Sequence, residues 1–459
     1  MRVERRISSV ASLIGAKLNG PDGLAPSRYY ADSRLVGKGD AFVAFRGEKA
    51  DGHDFIDDAV SRGASLIICE DGAKVPPGVS SIVVPDSFSA VPEMARRYLA
   101  SFGDLEIIAV TGSVGKTTTR EMIRAALSPS FRVHSAEHSY NTLIGCSLSI
   151  LAMPPGIDVL ILEMGTNHPG EIKEMVESFP PTVSVITEVT AAHLEGLGSE
   201  EGVLEAKFEI VQSPDLKALL FFGDNTLISR RCASLPEEVL RLGVGFGDCA
   251  FALRNVHFVL KEGIPCLSFD LVHNGKTYLV ESSLFGRHSA PAAAFGMASA
   301  IFLGGSTEGA AAGIRSVDPL NGRGRFYRLE SGAVLLDDSY NANPASMRAS
   351  LSEALLLKER RKIAALGEMR ELGDNALAHH EELLPLLGGF TKVFLTGKLW
   401  RLACSRSALP ANAEFFDDPV SLGNSLKPGL REGDLLVVKG SRGNLLDRLV
   451  DAVLEGGAV

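Results

Sequence analysis

The segment Val110-Thr111-Gly112-Ser113-Val114-Gly115-Lys116-Thr117-Thr118-Thr119 constrains the fold of this chain more than any other. It is preceded by the apolar run LEIIAVTG (105–112) and followed by TTTREMIRAAL (117–127), whose apolar positions recur at helical spacing. A buried-type strand that ends in a glycine loop and re-enters as a helix predicts an α/β layer. Glycines let backbone N–H groups approach phosphate oxygens, the helix N-terminus adds partial positive charge, and Lys116 adds a full one. A hydroxyl such as that of Thr117 suits a hard cation. Gly112, Ser113, Val114, Gly115, Lys116, Thr117 and Thr118 are therefore the expected nucleotide-binding residues. Val110 stands where the usual pattern has its first glycine. The loop indicates a nucleotide and leaves the reaction open; a plain strand–helix turn with an incidental lysine is the bland alternative.

At 459 residues the chain exceeds what one core supports, so two or three domains are expected. Changes in the strand and helix pattern place them at 1–100, 101–318 and 319–459. In the first, AFVAFRG (41–47) and SLIICED (65–71) read as strands flanking a helix over 55–64. In the second, DVLILEMG (158–165) and TVSVITEV (182–189) join the loop strand in a mostly parallel sheet. Residues 250–285 are β-rich, and His273-Asn274-Gly275-Lys276 carries a hairpin signal, so an antiparallel edge is expected there. The third reads as a Rossmann-like α/β unit, with strands over 333–339, 361–367, 392–397 and 434–441 and helices over 344–358, 375–388 and 445–455.

The net charge of −10 argues against a nucleic-acid binder held by phosphate contacts. The N-terminal segment has no uninterrupted apolar core, so no signal peptide is expected, and the chain has no long apolar run that would span a membrane. Six scattered cysteines without a CxxC pair suit free buried thiols. A monomer in the cytoplasm is the expectation.

Four further clusters carry chemistry. Glu163 ends its strand, in EMGTNH (163–168), where a carboxylate can bind a hard cation shared with ATP phosphates. His193 in HLEG precedes a helix that carries Lys207, between Glu205 and Glu209; alone, such a lysine is ordinarily solvated. Asp337-Asp338-Ser339-Tyr340-Asn341-Ala342-Asn343-Pro344 delivers two acids and an amide-rich turn into a helix. Lys439-Gly440-Ser441-Arg442 puts two cations at a strand end, which suits an anionic ligand.

In this order the segments resemble the Mur ligases, in particular the branch that adds D-alanyl-D-alanine to UDP-N-acetylmuramoyl-tripeptide. The likeness runs through Ala31-Asp32-Ser33-Arg34, Gly39 to Ala44, Asp51-Gly52-His53-Asp54-Phe55-Ile56, GSVGKTTT, 163–172, 192–210, 337–347, LGEMRELG (366–373) with His380, and KGSR. The resemblance implies an ATP- and Mg²⁺-dependent amide ligase that works through an acyl phosphate. It implies Ser33, Arg34, Asp51, Gly52, His53, Lys439, Ser441 and Arg442 as substrate-binding residues. Asn341 and Arg323 are added to the nucleotide set, and Lys116, His193 and Lys207 are the implied catalytic residues. Thr117, Glu163, His193 and Lys207 are the implied metal ligands, with Lys207 carbamylated, which turns a cation into an oxygen donor.

The chain departs from the family pattern at Thr142, Ser147 and Glu188, where Asn, Pro and Asn are expected. Ser289, beside His288, replaces an Asn tied to an adenine contact. Gly322-Arg323 and Gly324-Arg325 both fit one family position. A Mur-like ligase with another carboxylate or amine, a P-loop NTPase and a non-catalytic binding protein are the competing readings.

Overall fold

The computed structural model describes residues 5–455 except 48–49, 137–139, 191–193, 262–263, 320, 359–360 and 408–409. Three sheets follow one another along the chain. The first has five strands, in the order Leu18–Asn19, Ser80–Val83, Leu66–Cys69, Ala41–Val43, Tyr29–Tyr30, and is parallel except at its first pair.

The second sheet has nine strands. Its parallel part runs from Val133–Ser135 at one edge through Val159–Glu163, Glu106–Thr111, Val183–Ile186, Ala218–Phe222 and Leu240–Gly245 to Phe251–Lys261. The chain then folds back antiparallel through Ile264–His273 and Lys276–Ser282. The hairpin between them turns at Asn274 and Gly275, with φ of 47° and 73°; two successive left-handed residues are what a two-residue hairpin turn requires.

Strand side chains alternate between faces, and both faces of this sheet are covered. Ile108, Val110, Ile161 and Val185 pack into one core with Met122 of helix Lys116–Leu127 and Phe295 of helix Ala290–Phe302. Ile107, Ala109, Leu160 and Leu162 enter a second core, continuous with Tyr29, Ala41 and Val91 of the first unit. That double burial is why the strands read as unbroken apolar runs. The two helices approach closely because Gly296 faces Met122, where a Cβ would lie 2.7 Å from the carbonyl oxygen.

The third sheet has six strands, in the order Arg325–Arg328, Val334–Asp338, Asp434–Lys439, Arg361–Gly367, Lys392–Thr396, Ala413–Phe415, and only its first pair is antiparallel. Leu336, Leu366 and Val437 point to one core and Leu335, Ala365 and Val438 to the other.

The single helix expected over 375–388 is two, Ala376–Glu381 and Leu384–Leu387. Pro385 has no N–H for the helical ladder and would clash with the carbonyl of Glu381, so it opens a new helix instead. Of the six cysteines, all free, Cys249 is only half-buried. Among the described residues no helix is long and apolar enough to cross a membrane.

Candidate active site

Strand Glu106–Thr111 delivers the glycine loop to one end of the central sheet. Gly112 has φ +148°, and a Cβ there would stand 2.0 Å from the Thr187 hydroxyl. Thr187 Oγ1 donates to the Val114 carbonyl at 2.6 Å, and Ser113 N donates to the Glu188 carbonyl at 2.6 Å. The neighbouring strand end thus pins the loop. Gly115, at φ +86°, opens helix Lys116–Leu127 without a side-chain cap. Half-buried Lys116 curls back, its Nζ donating to the Gly112 carbonyl at 2.7 Å. Burial holds its amine below the ordinary lysine range; Glu163 opposes this and Arg323 adds to it.

Glu163, buried at its strand end, accepts from Thr117 Oγ1 at 2.9 Å and from Asn141 Nδ2 at 3.4 Å. Buried Arg120 lies 3.6 Å away. One turn after Lys116, it escapes the sequence reading because a helical arginine is usually exposed. Thr142 caps helix Leu143–Ala152 by accepting from Gly145 N at 3.2 Å, and Ser147 bonds back to the Leu143 carbonyl at 2.7 Å. Both departures therefore have local structural roles.

Lys207 corrects the picture of a solvated lysine. It is 0% exposed, and its Nζ has no hydrogen-bond partner among the described residues. Glu205 pairs instead with Arg231 at 2.9 Å, and Glu209 accepts from Gly170 N and Lys173 N at 2.7 and 3.0 Å. Burial first, then Lys116, pushes the Lys207 amine down to about 7 against the pull of Glu171 and Glu209. His193 lies outside the described residues.

The third unit supplies the facing wall. Asp337 is buried and anchors backbone, accepting from Gly322 N at 2.8 Å and from Ser339 Oγ at 2.6 Å. Asp338 instead accepts from buried Lys439 at 2.7 Å, and Lys439 also donates to the Asn341 carbonyl at 3.1 Å. Ser441 is buried and ties the Ala342 carbonyl to Arg370 N at 3.2 and 3.0 Å. Arg323 and exposed Arg442 both approach the ring of Tyr340, with their guanidinium carbons 4.3 and 5.4 Å from its centroid. Arg325, the other candidate for Arg323's place, sits over Tyr327 and reaches Asn321 at 3.0 Å.

Between the glycine loop and this wall lies a cleft of about 480 Å³. It brings together Ser113 to Thr119, Glu163, Arg323, Asn341 and Lys439, with Phe222, Phe285, His288 and Phe295 as a largely apolar side. Ser289 also lines it, although its hydroxyl is spent on the Phe285 carbonyl at 2.7 Å. A cationic, glycine-lined floor beside an aromatic wall suits a nucleoside triphosphate. The Thr117 hydroxyl and Glu163 carboxylate form an oxygen pair fit for a hard cation. Among the described residues, though, no group of three or more His, Cys, Asp or Glu side chains is arranged to hold a metal.

In the first unit, Asp32 caps the short helix Ser33–Leu35 and pairs with exposed Arg34 at 2.6 Å, and Ser33 is buried. His53, buried, donates Nδ1–H to Asp51 at 2.6 Å and accepts from Glu70 N at 2.9 Å through Nε2. Both ring nitrogens are thus committed inside the unit. Gly52 is pressed on its own chain: a Cβ would lie 2.7 Å from Phe45 N. None of these front-unit residues lines the cleft.

Residues 110–300 match the Mur ligase middle domain, residues 322–442 the Mur ligase glutamate ligase domain, and residues 29–102 the Mur ligase family catalytic domain. The UDP-N-acetylmuramoyl-tripeptide–D-alanyl-D-alanine ligase of Synechocystis sp. is 32% identical over 92% of this chain and 91% of its own. The ligase of the same name from Bacillus subtilis is 29% identical over 99% of both chains. A MurF ligase from Thermotoga maritima, solved in complex with ADP, superposes with a TM-score of 0.77 and 28% identity over 93% of this chain and 96% of its own. With relatives this similar along almost its whole length, and with a glycine loop facing a cationic wall across one cleft, the chain belongs to the Mur ligase family.

Proposed function

We propose that this chain is an ATP-dependent, ADP-forming amide ligase that joins D-alanyl-D-alanine to UDP-N-acetylmuramoyl-tripeptide in peptidoglycan precursor synthesis. The observation that carries the reading is the cleft itself, where Lys116 and the glycine loop face Arg323 and Lys439. Residues 1–100 would bind the uridine nucleotide through Ser33, Arg34 and the segment 51–53, residues 101–318 ATP, and residues 319–459 the nucleotide's outer face and the amine.

The tripeptide carboxylate attacks the γ-phosphorus, and the bond to ADP breaks. The amine of D-alanyl-D-alanine then attacks the acyl phosphate carbonyl, and phosphate leaves with the electron pair. Lys116 and the N–H groups of the glycine loop hold the phosphate oxygens; Arg323 and Lys439 bring further positive charge from the facing wall. The aromatic side of the cleft keeps water from the acyl phosphate. Asn341 is assigned to the nucleotide, Ser441 and Arg442 to substrate. Ser441 does this by shaping the loop, since its hydroxyl is already engaged.

Thr117 and Glu163 would hold Mg²⁺, with His193 and a carbamylated Lys207 serving a further ion. Bound Mg²⁺ neutralises phosphate charge and polarises the phosphoryl group. Lys207 supports its part in this by being a buried, unpartnered amine with a depressed pKa. Such an amine is partly neutral near pH 7, and its nitrogen can add CO₂ and release a proton. Phosphate release that requires the UDP-muramoyl tripeptide and D-alanyl-D-alanine together tests the reading. Release with ATP alone would assign an NTPase instead.

A further inference from the structure

Glu188 is a departure whose carboxylate local structure engages through one oxygen. Its backbone is part of the phosphate-loop support: the carbonyl accepts from Ser113 N, and Val114 and Glu188 form an isolated antiparallel bridge. The residue lines the same cleft as Lys116, Thr117 and Glu163. Oε1 is occupied, accepting from Asn225 Nδ2 at 2.5 Å and from Val189 N at 3.1 Å. Oε2 has no hydrogen-bond partner among the described residues and is not sealed from solvent. The result is a carboxylate fixed in direction by one oxygen, with the other unpartnered among the described residues, on the strand end that braces the phosphate loop.

We propose that Glu188 is a further catalytic residue, the general base that takes the proton from the attacking amine. The inference rests on the ligase reading above. In the second half-reaction the amine lone pair forms a C–N bond to the acyl phosphate carbonyl, leaving a proton in excess on nitrogen. Oε2 accepts that proton, the tetrahedral intermediate collapses, and the C–O bond to phosphate breaks with its electron pair on phosphate. Glu188 then returns the proton to solvent. An amide at this position could bond the amine but could not remove its proton.

The surroundings tune the group for that work. Burial raises the Glu188 carboxyl above the ordinary range, the hydrogen bonds from Asn225 and Val189 N lower it, and Asp224 and Glu200 raise it again. Asp224 is itself held by Phe246 N and Gly247 N at 2.6 and 2.7 Å. A base whose pKa moves toward the working pH accepts a proton more effectively than an ordinary carboxylate.

Glu188→Gln keeps the acceptor for Asn225 and nearly the same shape, so it separates base from brace. The full-length enzyme is given ATP, Mg²⁺ and UDP-muramoyl tripeptide, with either D-alanyl-D-alanine or hydroxylamine as nucleophile. Hydroxylamine is mostly neutral near pH 7 and needs little help from a base. The ratio of amide to hydroxamate is expected to fall about 100-fold in Glu188→Gln. Glu188→Asp should recover part of the ratio. An unchanged ratio, with both products falling in parallel or neither falling, would overturn the proposal. Failure of the wild-type enzyme to form the amide would instead remove the ligase reading.

Discussion

Replacing Lys207 by Met should make the protein more stable at pH 6 and abolish ligation. The side chain is 0% exposed with no partner for its amine among the described residues. Its pKa falls from the ordinary 10.5 to about 7. At about 1.4 kcal/mol per unit, that difference is a penalty of at most about 5 kcal/mol for the charged amine in the folded state. The sign follows from proton counting. Between about pH 7 and 10.5 the unfolded chain holds a proton the folded chain lacks, so stability rises with pH; below about 7 the penalty is complete. Met has similar length and no charge, so it removes the penalty along with the amine. Denaturant unfolding of the central unit at pH 6 and 8.5, in CO₂-free buffer, should show a rising wild-type stability and a flatter Lys207→Met. Added bicarbonate should stabilise only the wild type, because the carbamate requires the amine. Lys207→Arg keeps a charge that cannot be neutralised and should lose both stability and turnover. Loss of stability in Lys207→Met at pH 6, or wild-type turnover in Lys207→Arg, would refute this reasoning.

Three other outcomes follow from the geometry. Lys116→Ala should leave the circular dichroism spectrum unchanged and lower ATP-dependent ligation by roughly two to three orders of magnitude, read as amide product by mass. Gly112→Ala places a Cβ 2.0 Å from the Thr187 hydroxyl, so it should displace the loop and weaken ATP binding at least tenfold by calorimetry, an effect of about 1.4 kcal/mol or more. His53→Ala removes the brace between Asp51 and Glu70 N; it should cost roughly 2–3 kcal/mol of front-unit stability by denaturant titration, with kcat at saturating substrate little changed.

Much of the architecture was legible because double burial leaves a plain trace. Glu106–Thr111, Val159–Glu163 and Val183–Ile186 are apolar on both faces, and a glycine loop between strand and helix has few other uses. Asn274-Gly275 declared its hairpin through two left-handed residues. The surroundings of the individual candidate residues were harder to read because they depend on contacts distant in sequence. Lys207, flanked by glutamates, looks solvated until its helix is packed, and those glutamates turn out to serve Arg231 and the backbone near Gly170. Asp337 and Asp338 are indistinguishable in sequence, yet one anchors Gly322 and the other pairs with Lys439, 101 positions away. His53 reads as a site residue; its bond to Glu70 N turns the ring inward. Tyr340 gathers Arg323 and Arg442 from separate segments, a grouping no local pattern contains.

The central claim is that the cleft activates a carboxylate as an acyl phosphate and passes it to an amine. Labelling both oxygens of the reacting tripeptide carboxylate with heavy oxygen tests this directly, since the mechanism sends one to the amide and the other to inorganic phosphate. Incubation with ATP, Mg²⁺ and D-alanyl-D-alanine should give singly labelled phosphate in step with singly labelled amide product, both read by mass spectrometry. Unlabelled phosphate, or phosphate released without amide product, would contradict the account.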